Sequence, residues 1–149
     1  MKYLAIILLF ISCTSNVKIK RIIDGDTIVT VTRERIRLAE IDAPESQQEY
    51  GQHAKQFLSN LILGKTIQIR RKGKDKYHRT IAELYYNGIW INKMMVDSGQ
   101  AWAYIKYSSL YPDEIIARNK RLGLWAYPYE APFLYRKHIK IKSWKRNIQ

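Results

Sequence analysis

Apolar positions recur along this chain with two distinct periods. From Val17 to Ile22 they alternate with charged residues (Val17-Lys18-Ile19-Lys20-Arg21-Ile22), which predicts a half-buried strand. Asp24-Gly25-Asp26 is turn sequence. Thr27 to Thr32 is β-branched throughout and predicts a second strand. Arg35 to Ile41 gives a third, with Ile36 and Leu38 on one face. Asp42-Ala43-Pro44-Glu45 leaves it as a polar loop. The period then changes. Ala54, Phe57, Leu58, Leu61 and Ile62 fall on a single helical stripe, stopped by Gly64. Strand spacing returns over Lys65 to Arg71 and over Arg79 to Tyr86, with a basic turn from Lys72 to Lys76 between them and an Asn87-Gly88 turn after. Ile91 to Ser98 predicts a short helix ended by Gly99. A third helix begins near Pro112 and closes at Gly123. Its acidic Asp113 and Glu114 and basic Arg118, Lys120 and Arg121 each sit at the end of the helix dipole that suits them.

Five short strands and about three helices, opening with a three-strand meander and showing no βαβ repeat, predict an α+β fold built on a small five-stranded OB-like β-barrel. Closure into a barrel removes the exposed edge strands that an open sheet would leave. The 149 residues suit one such domain, expected over 17–126. Leu58, Leu61, Met94, Leu122, Trp90, Trp102 and Trp125 are packing candidates.

The two ends differ from this body. Residues 1–16 read as a leader. Lys2 precedes an apolar run from Tyr3 to Ile11 that is too short to span a bilayer and fits an export signal. Leu8-Leu9-Phe10-Ile11-Ser12-Cys13 resembles a bacterial lipoprotein signal, which implies lipidation of Cys13, although Phe10 stands where such signals usually carry Leu. The expected location is outside the cytoplasm, as a cell-envelope lipoprotein or a secreted protein. Cys13 is the single cysteine, so the body has neither a disulfide nor a thiolate metal site. Residues 127–149 read as a basic tail carrying Arg136, Lys137, Lys140, Lys142, Lys145 and Arg146, a run able to neutralise phosphates by counterion release. Nothing in the body reads as a coiled coil, so a monomer is expected.

Charge narrows the partner. The formal net charge is +13, from 26 Lys plus Arg against 13 Asp plus Glu. That excess suits a polyanion, though a solvated basic surface would give the same number. Eleven tyrosines and four tryptophans add groups that could stack on bases.

Three acids stand out against the basic background. Asp26 lies in the glycine turn, and Asp42 and Glu45 lie just past the third strand, at positions a meander can bring together. Hard divalent cations take carboxylate and carbonyl oxygens. His53, His78 and His138 lack metal-ligand spacing, and His78 reads as a turn residue. Arg37 and Arg79 could supply planar forks for a phosphate. Taken alone, these acids could equally be turn formers and these arginines surface charges.

Longer segments decide between those readings. Ile23-Asp24-Gly25-Asp26-Thr27, Arg35-Ile36-Arg37-Leu38-Ala39-Glu40-Ile41-Asp42-Ala43-Pro44-Glu45 and Asp75-Lys76-Tyr77-His78-Arg79-Thr80-Ile81-Ala82 resemble the thermonuclease, or staphylococcal-nuclease, family. Gly51 with Ala54, Asn92 to Gly99, Ala101-Trp102-Ala103-Tyr104 and Ala117 to Trp125 continue the resemblance in family order, from about Val17 to Trp125. The resemblance implies a calcium-dependent endonuclease that hydrolyses phosphodiester bonds in DNA and RNA and leaves 3′-phosphate ends. It implies Asp26, Asp42 and the backbone carbonyl of Ala43 as Ca²⁺ ligands, Glu45 as general base, and Arg37 and Arg79 as phosphate and transition-state donors. Lys76, Tyr77, Tyr104 and Tyr107 are implied to line the nucleotide pocket, and Asp24 to hold the turn. Ala43 departs from the hydroxyl residue of the best-known member, which a backbone ligand tolerates. The competing readings are a non-catalytic nucleic-acid-binding OB-like module and an adhesion lipoprotein. Neither accounts for the full set Asp26, Arg37, Asp42, Glu45 and Arg79.

Overall fold

The structure, a computed structural model, describes residues 14–104 and 108–146, with the side chains of 145 and 146 left aside. Cys13 and Tyr107 lie outside the described residues. Five strands close a barrel: β1 (Thr14–Ile22), β2 (Thr27–Thr30), β3 (Arg35–Leu38), β5 (Thr66–Lys74) and β6 (Thr80–Tyr86). Neighbours run antiparallel in the order β3-β2-β1-β5-β6, and a parallel β3–β6 pairing completes the circle. The two-residue strand β7 (Ile89–Trp90) extends β6. Helices α1 (Gly51–Ile62), α2 (Ile91–Asp97), α3 (Tyr111–Asn119) and α4 (Pro132–Arg146) surround it. The α+β barrel expected from the sequence is therefore the fold.

Periodicity explains the packing. Leu58 and Ile62 of α1 are buried in one cluster with Ile19, Ile36, Ile67, Ile69 and Leu84 of the barrel, with Phe57 and Leu61 half-buried beside them, and Ala54 is buried against the Gly25 turn. In β1, Ile19 and Ile22 both point inward although three residues apart. A register shift between Ile19 and Arg21 allows this, since one extra residue turns the following side chains to the other face. The buried Asn92 side chain ties α2 to the barrel, donating to the carbonyls of Ala39 (2.9 Å) and Ala82 (3.2 Å) and accepting from the Leu84 amide (2.9 Å).

Several elements differ from the sequence expectation. Strand β1 begins at Thr14, inside the segment read as leader, because Thr14, Ser15 and Asn16 pair with Arg70, Ile69 and Gln68. Strand β5 runs on to Lys74, through an irregularity between Arg71 and Gly73, where a turn was expected. The tail read only as a basic run carries helix α4. Leu122 is 38% exposed, and Met95 rather than Met94 is fully buried. The third strand is cut short at Leu38. Glu40 takes a left-handed φ of 65°, and the chain turns to form β4 (Ile41–Asp42), which pairs with β8 (Trp102–Ala103).

One ion pair fixes the barrel end nearest the basic groove described below. Glu34 accepts from Arg71 (3.3 and 2.9 Å) and from the Thr80 hydroxyl (2.8 Å). The Arg71 bonds, more than Thr80, hold its carboxyl below the ordinary 4.5. A depressed carboxylate pKa stabilises the fold above the unfolded-state pKa and loses that contribution as pH falls through the folded value. Glu34→Gln should therefore cost about 1–2 kcal/mol at pH 7, with the deficit closing as pH falls below the ordinary carboxylate range. Thermal melts of both proteins from pH 7 to pH 3 check this; a deficit that stays constant with pH would refute it.

Candidate active site

The turn at Glu40 makes the site. Arg37, on β3, donates from one terminal nitrogen to the carbonyls of Leu38 (3.1 Å) and Ile41 (2.9 Å), so its guanidinium braces the chain as it doubles back. Its other terminal nitrogen lies 3.1 Å from Asp42 Oδ1 and 3.4 Å from Asp26 Oδ2. Asp42 arrives through β4 and Asp26 through the turn before β2, and one arginine brings the two carboxylates together. Asp26 is fixed further by Thr27, whose hydroxyl donates to Oδ1 (2.9 Å), and by the Ala43 amide, which donates to Oδ2 (3.1 Å). Asp24 accepts from the Asp26 amide (3.0 Å) and so holds the turn.

Glu45 is set by its backbone. The Gln48 side chain accepts from the Glu45 amide (3.2 Å), and the Gln48 amide donates to the Glu45 carbonyl (2.8 Å). At the start of α1, Gly51 packs directly on that loop: a Cβ there would lie 1.9 Å from the Glu45 carbonyl oxygen. Gly25 has a similar constraint, since a Cβ would meet those of Ala43 (2.6 Å) and Ala54 (2.9 Å). The two glycines thus let the Asp26 turn, the Ala43 loop and α1 close on one another.

Across the cleft, Arg79 donates through Nε to Asp75 Oδ2 (2.7 Å) and, through one terminal nitrogen and more distantly, to the Thr27 hydroxyl (3.4 Å). Its guanidinium carbon lies 5.6 Å from the centre of the Tyr77 ring, and Lys76 Nζ lies 5.1 Å from the same ring. Tyr77 is 67% exposed. His78, with a left-handed φ of 61° and its amide on the Asp75 carbonyl, shapes the turn that presents Tyr77 and Arg79. Asp26, Arg37, Ala43, Glu45, Lys76, Tyr77, Arg79 and Tyr104 all line one cleft of about 950 Å³. Asp42, buried beneath, enters it through its ion pairs. A second groove of about 640 Å³, with Arg33, Arg71 and Lys74 in its walls, shares Arg35, Tyr77 and Arg79 with the first.

The acids crowd each other. Burial, then the charges of Asp26 and Glu45, push the Asp24 carboxyl up to about 7. Burial raises Asp42 as well, against the pull of Arg136 and Arg37. Arg136, from α4, donates to Asp42 (2.8 and 3.2 Å) and to Glu45 Oε1 (2.8 Å). Burial alone would lower its pKa, but those bonds raise it. Such a cluster demands positive charge. Among the described residues no three His, Cys, Asp or Glu side chains converge as a complete metal cage. The donor set nevertheless fits a hard cation, which would take the two aspartates and fill its shell with carbonyl and water oxygens.

Sequence similarity agrees with this geometry. Residues 35–127 match the family model described as staphylococcal nuclease homologue. The chain belongs to the staphylococcal nuclease family. It is 41% identical over 141 residues to a protein of Shigella flexneri named micrococcal nuclease, covering 83% of this chain and 81% of the other. It is 45% identical over 117 residues to an uncharacterized endonuclease of Haemophilus influenzae, covering 73% of this chain and 65% of that protein. A plant relative, staphylococcal-like nuclease CAN1 of Arabidopsis thaliana, is 38% identical over 108 residues, 70% of this chain and 33% of its own.

Asp75, Thr27 and Gln48 carry no role in the sequence reading, and Arg136 only that of one charge in a phosphate-neutralising run, yet each holds a site residue in place. Asp75 had a signal: an aspartate opening a turn, able to cap the amides that follow it. Arg136 had none beyond its place in a basic run.

Proposed function

We propose that this member of the nuclease family is a calcium-dependent endonuclease that hydrolyses phosphodiester bonds in DNA and RNA and leaves 3′-phosphate ends. The observation that carries this reading is the pairing of Asp26 with Asp42 around Arg37, in the same cleft as Glu45 and Arg79. Calcium, when bound, would offset charge on the attacked phosphate and help orient water. The Glu45 carboxylate takes the proton of that water as it attacks phosphorus; the P–O5′ bond breaks, the phosphate stays on the 3′ side, and the departing 5′-oxygen takes a proton from solvent to become a hydroxyl. Arg37 and Arg79 donate to the non-bridging oxygens, whose negative charge grows in the transition state. Lys76 pairs with a flanking phosphate, and the exposed Tyr77 and Tyr104 rings flank the nucleotide. The adjoining groove, walled by Arg33, Arg35, Arg71 and Lys74, gives a polyanionic strand a continuous basic path away from the scissile bond. A non-catalytic binding module would use that path equally well but has no need of the acid cluster.

Plasmid DNA incubated with the protein should be degraded with calcium and preserved with chelator. The fragments should accept label from a polynucleotide kinase at their 5′-hydroxyls without prior phosphatase treatment. DNA left intact at every calcium concentration would reject the enzyme reading and favour the binding module.

A further inference from the structure

Helix α4 is tied to the barrel on one side of the cleft and reaches into it from there. Just before the helix, the Glu130 carbonyl accepts a short hydrogen bond from Gln48 Nε2, on the same loop that fixes Glu45. Tyr129 packs on Tyr50 with ring centres 5.3 Å apart, and Pro132 is buried. His138, six residues past Pro132, pairs with Glu130 (2.6 Å). Between these points Arg136 extends its fork over Asp42 and Glu45. One nitrogen lies 2.8 Å from Asp42 Oδ2, and the other lies 3.2 Å from Asp42 Oδ1 and 2.8 Å from Glu45 Oε1.

We propose that Arg136 is a built-in cation that latches the cleft, holding Asp42 and Glu45 together until a divalent cation displaces it. The inference rests on the reading of Asp42 as cation ligand and Glu45 as base. Both Asp42 oxygens are engaged by guanidinium groups, so a divalent ion must take Asp42 from Arg136 or share it against like-charge repulsion in a partly buried setting. Arg136 is the group able to leave. Arg37 is 18% exposed and rooted in β3, whereas Arg136 is 42% exposed on a helix whose residues 136 to 142 are all exposed. An element with so few buried contacts can open locally without unfolding the domain. The latch also satisfies Asp42, a buried carboxylate that would otherwise lie among other acids. Its cost falls on cation binding: a site competent only in the open fraction shows an affinity reduced by that fraction.

Calcium binding to the full chain, measured by calorimetry, separates this from the alternatives. Arg136→Ala should bind calcium about tenfold more tightly than wild type, the scale expected when a closed state dominates by that ratio. Arg136→Lys keeps the charge without the fork and should fall between. Lys137→Ala removes the neighbouring exposed charge and should stay within about twofold, which excludes a general field effect. Hydrogen exchange gives a second readout: calcium should speed exchange of the α4 amides in wild type, and Arg136→Ala should show that faster exchange without calcium. Unchanged affinity with α4 still protected at saturating calcium would reduce Arg136 to a structural ion pair and overturn the latch. Unchanged calcium affinity with weakened nucleotide binding would make it a phosphate ligand instead, again overturning it. A wild type that binds no calcium would overturn the latch together with the functional reading. Calcium-dependent cleavage by wild type without the Arg136→Ala shift would overturn the latch alone.

Discussion

Glu45→Gln should lose roughly two to four decades of turnover at saturating calcium, the scale of removing a general base. The expectation is this large because everything around Glu45 except its ionisable oxygens survives the exchange. Its amide and carbonyl are held by Gln48, and Gly51 packs against its carbonyl, so the loop is positioned by backbone contacts that a glutamine retains. The amide oxygen can still accept from Arg136, and the volume is unchanged. What disappears is a carboxylate able to take a proton. Calcium affinity should not fall, because neutralising one of Arg136's two anionic partners loosens the latch rather than the aspartates. Nucleotide affinity should hold as well, which places the whole defect in the chemical step. Steady-state rates across a calcium titration, with calcium isotherms on the same samples, check this. Near-normal turnover at saturating calcium would remove Glu45 from the role of base.

How much of this was legible in the sequence depends on the distance over which each contact acts. Local periodicity places Ile36 and Leu38 inward and draws the α1 stripe, because each residue's partner face follows from its own spacing. Motif resemblance brings Asp26, Arg37, Asp42, Glu45 and Arg79 forward as one set, and the fold puts them around one cleft. Periodicity could not show why they meet. That turns on Glu40, a glutamate in a left-handed conformation whose neighbourhood reads as uninterrupted strand, and on Arg37, one terminal nitrogen of which bonds the Leu38 and Ile41 carbonyls. Arg136 was still less visible. It sits on a helix whose apolar residues form no clean stripe, and its partners lie 94 and 91 positions away in sequence. A run of lysines and arginines reads as a solvated tail until one of them is found on a buried carboxylate. The early start of β1 has the same cause: Thr14 to Asn16 become strand because they pair with Gln68 to Arg70, more than fifty positions away in sequence.

Arg79→Lys should cost about 100- to 1,000-fold in kcat/KM, the scale of removing a preorganised donor from a developing oxyanion. Charge alone would forecast a small effect, since lysine keeps the cation. Geometry forecasts a large one. Arg79 commits Nε to Asp75 and keeps one long bond to Thr27, so its orientation is set from behind while the terminal nitrogens remain the better-placed donors for a phosphate. Lysine has a single nitrogen: it can satisfy Asp75 or reach the phosphate, and it lacks the fork for two parallel bonds. Burial works against Asp75, yet its bonds from Arg79 hold its carboxyl below the ordinary range, so the anchor stays ionised and competes strongly for that nitrogen. If the lost contact is made mainly in the transition state, kcat and kcat/KM should fall together. Asp75→Asn should be milder, because an amide oxygen still accepts from Nε, and in the Arg79→Lys background it should add little, the signature of two residues acting through one contact. Arg21→Lys, on the exposed face of β1, should stay within about twofold as a surface exchange. Kinetics of the four variants at saturating calcium check the whole scheme: an Arg79→Lys enzyme within a few-fold of wild type would show that the fork is not what the transition state uses.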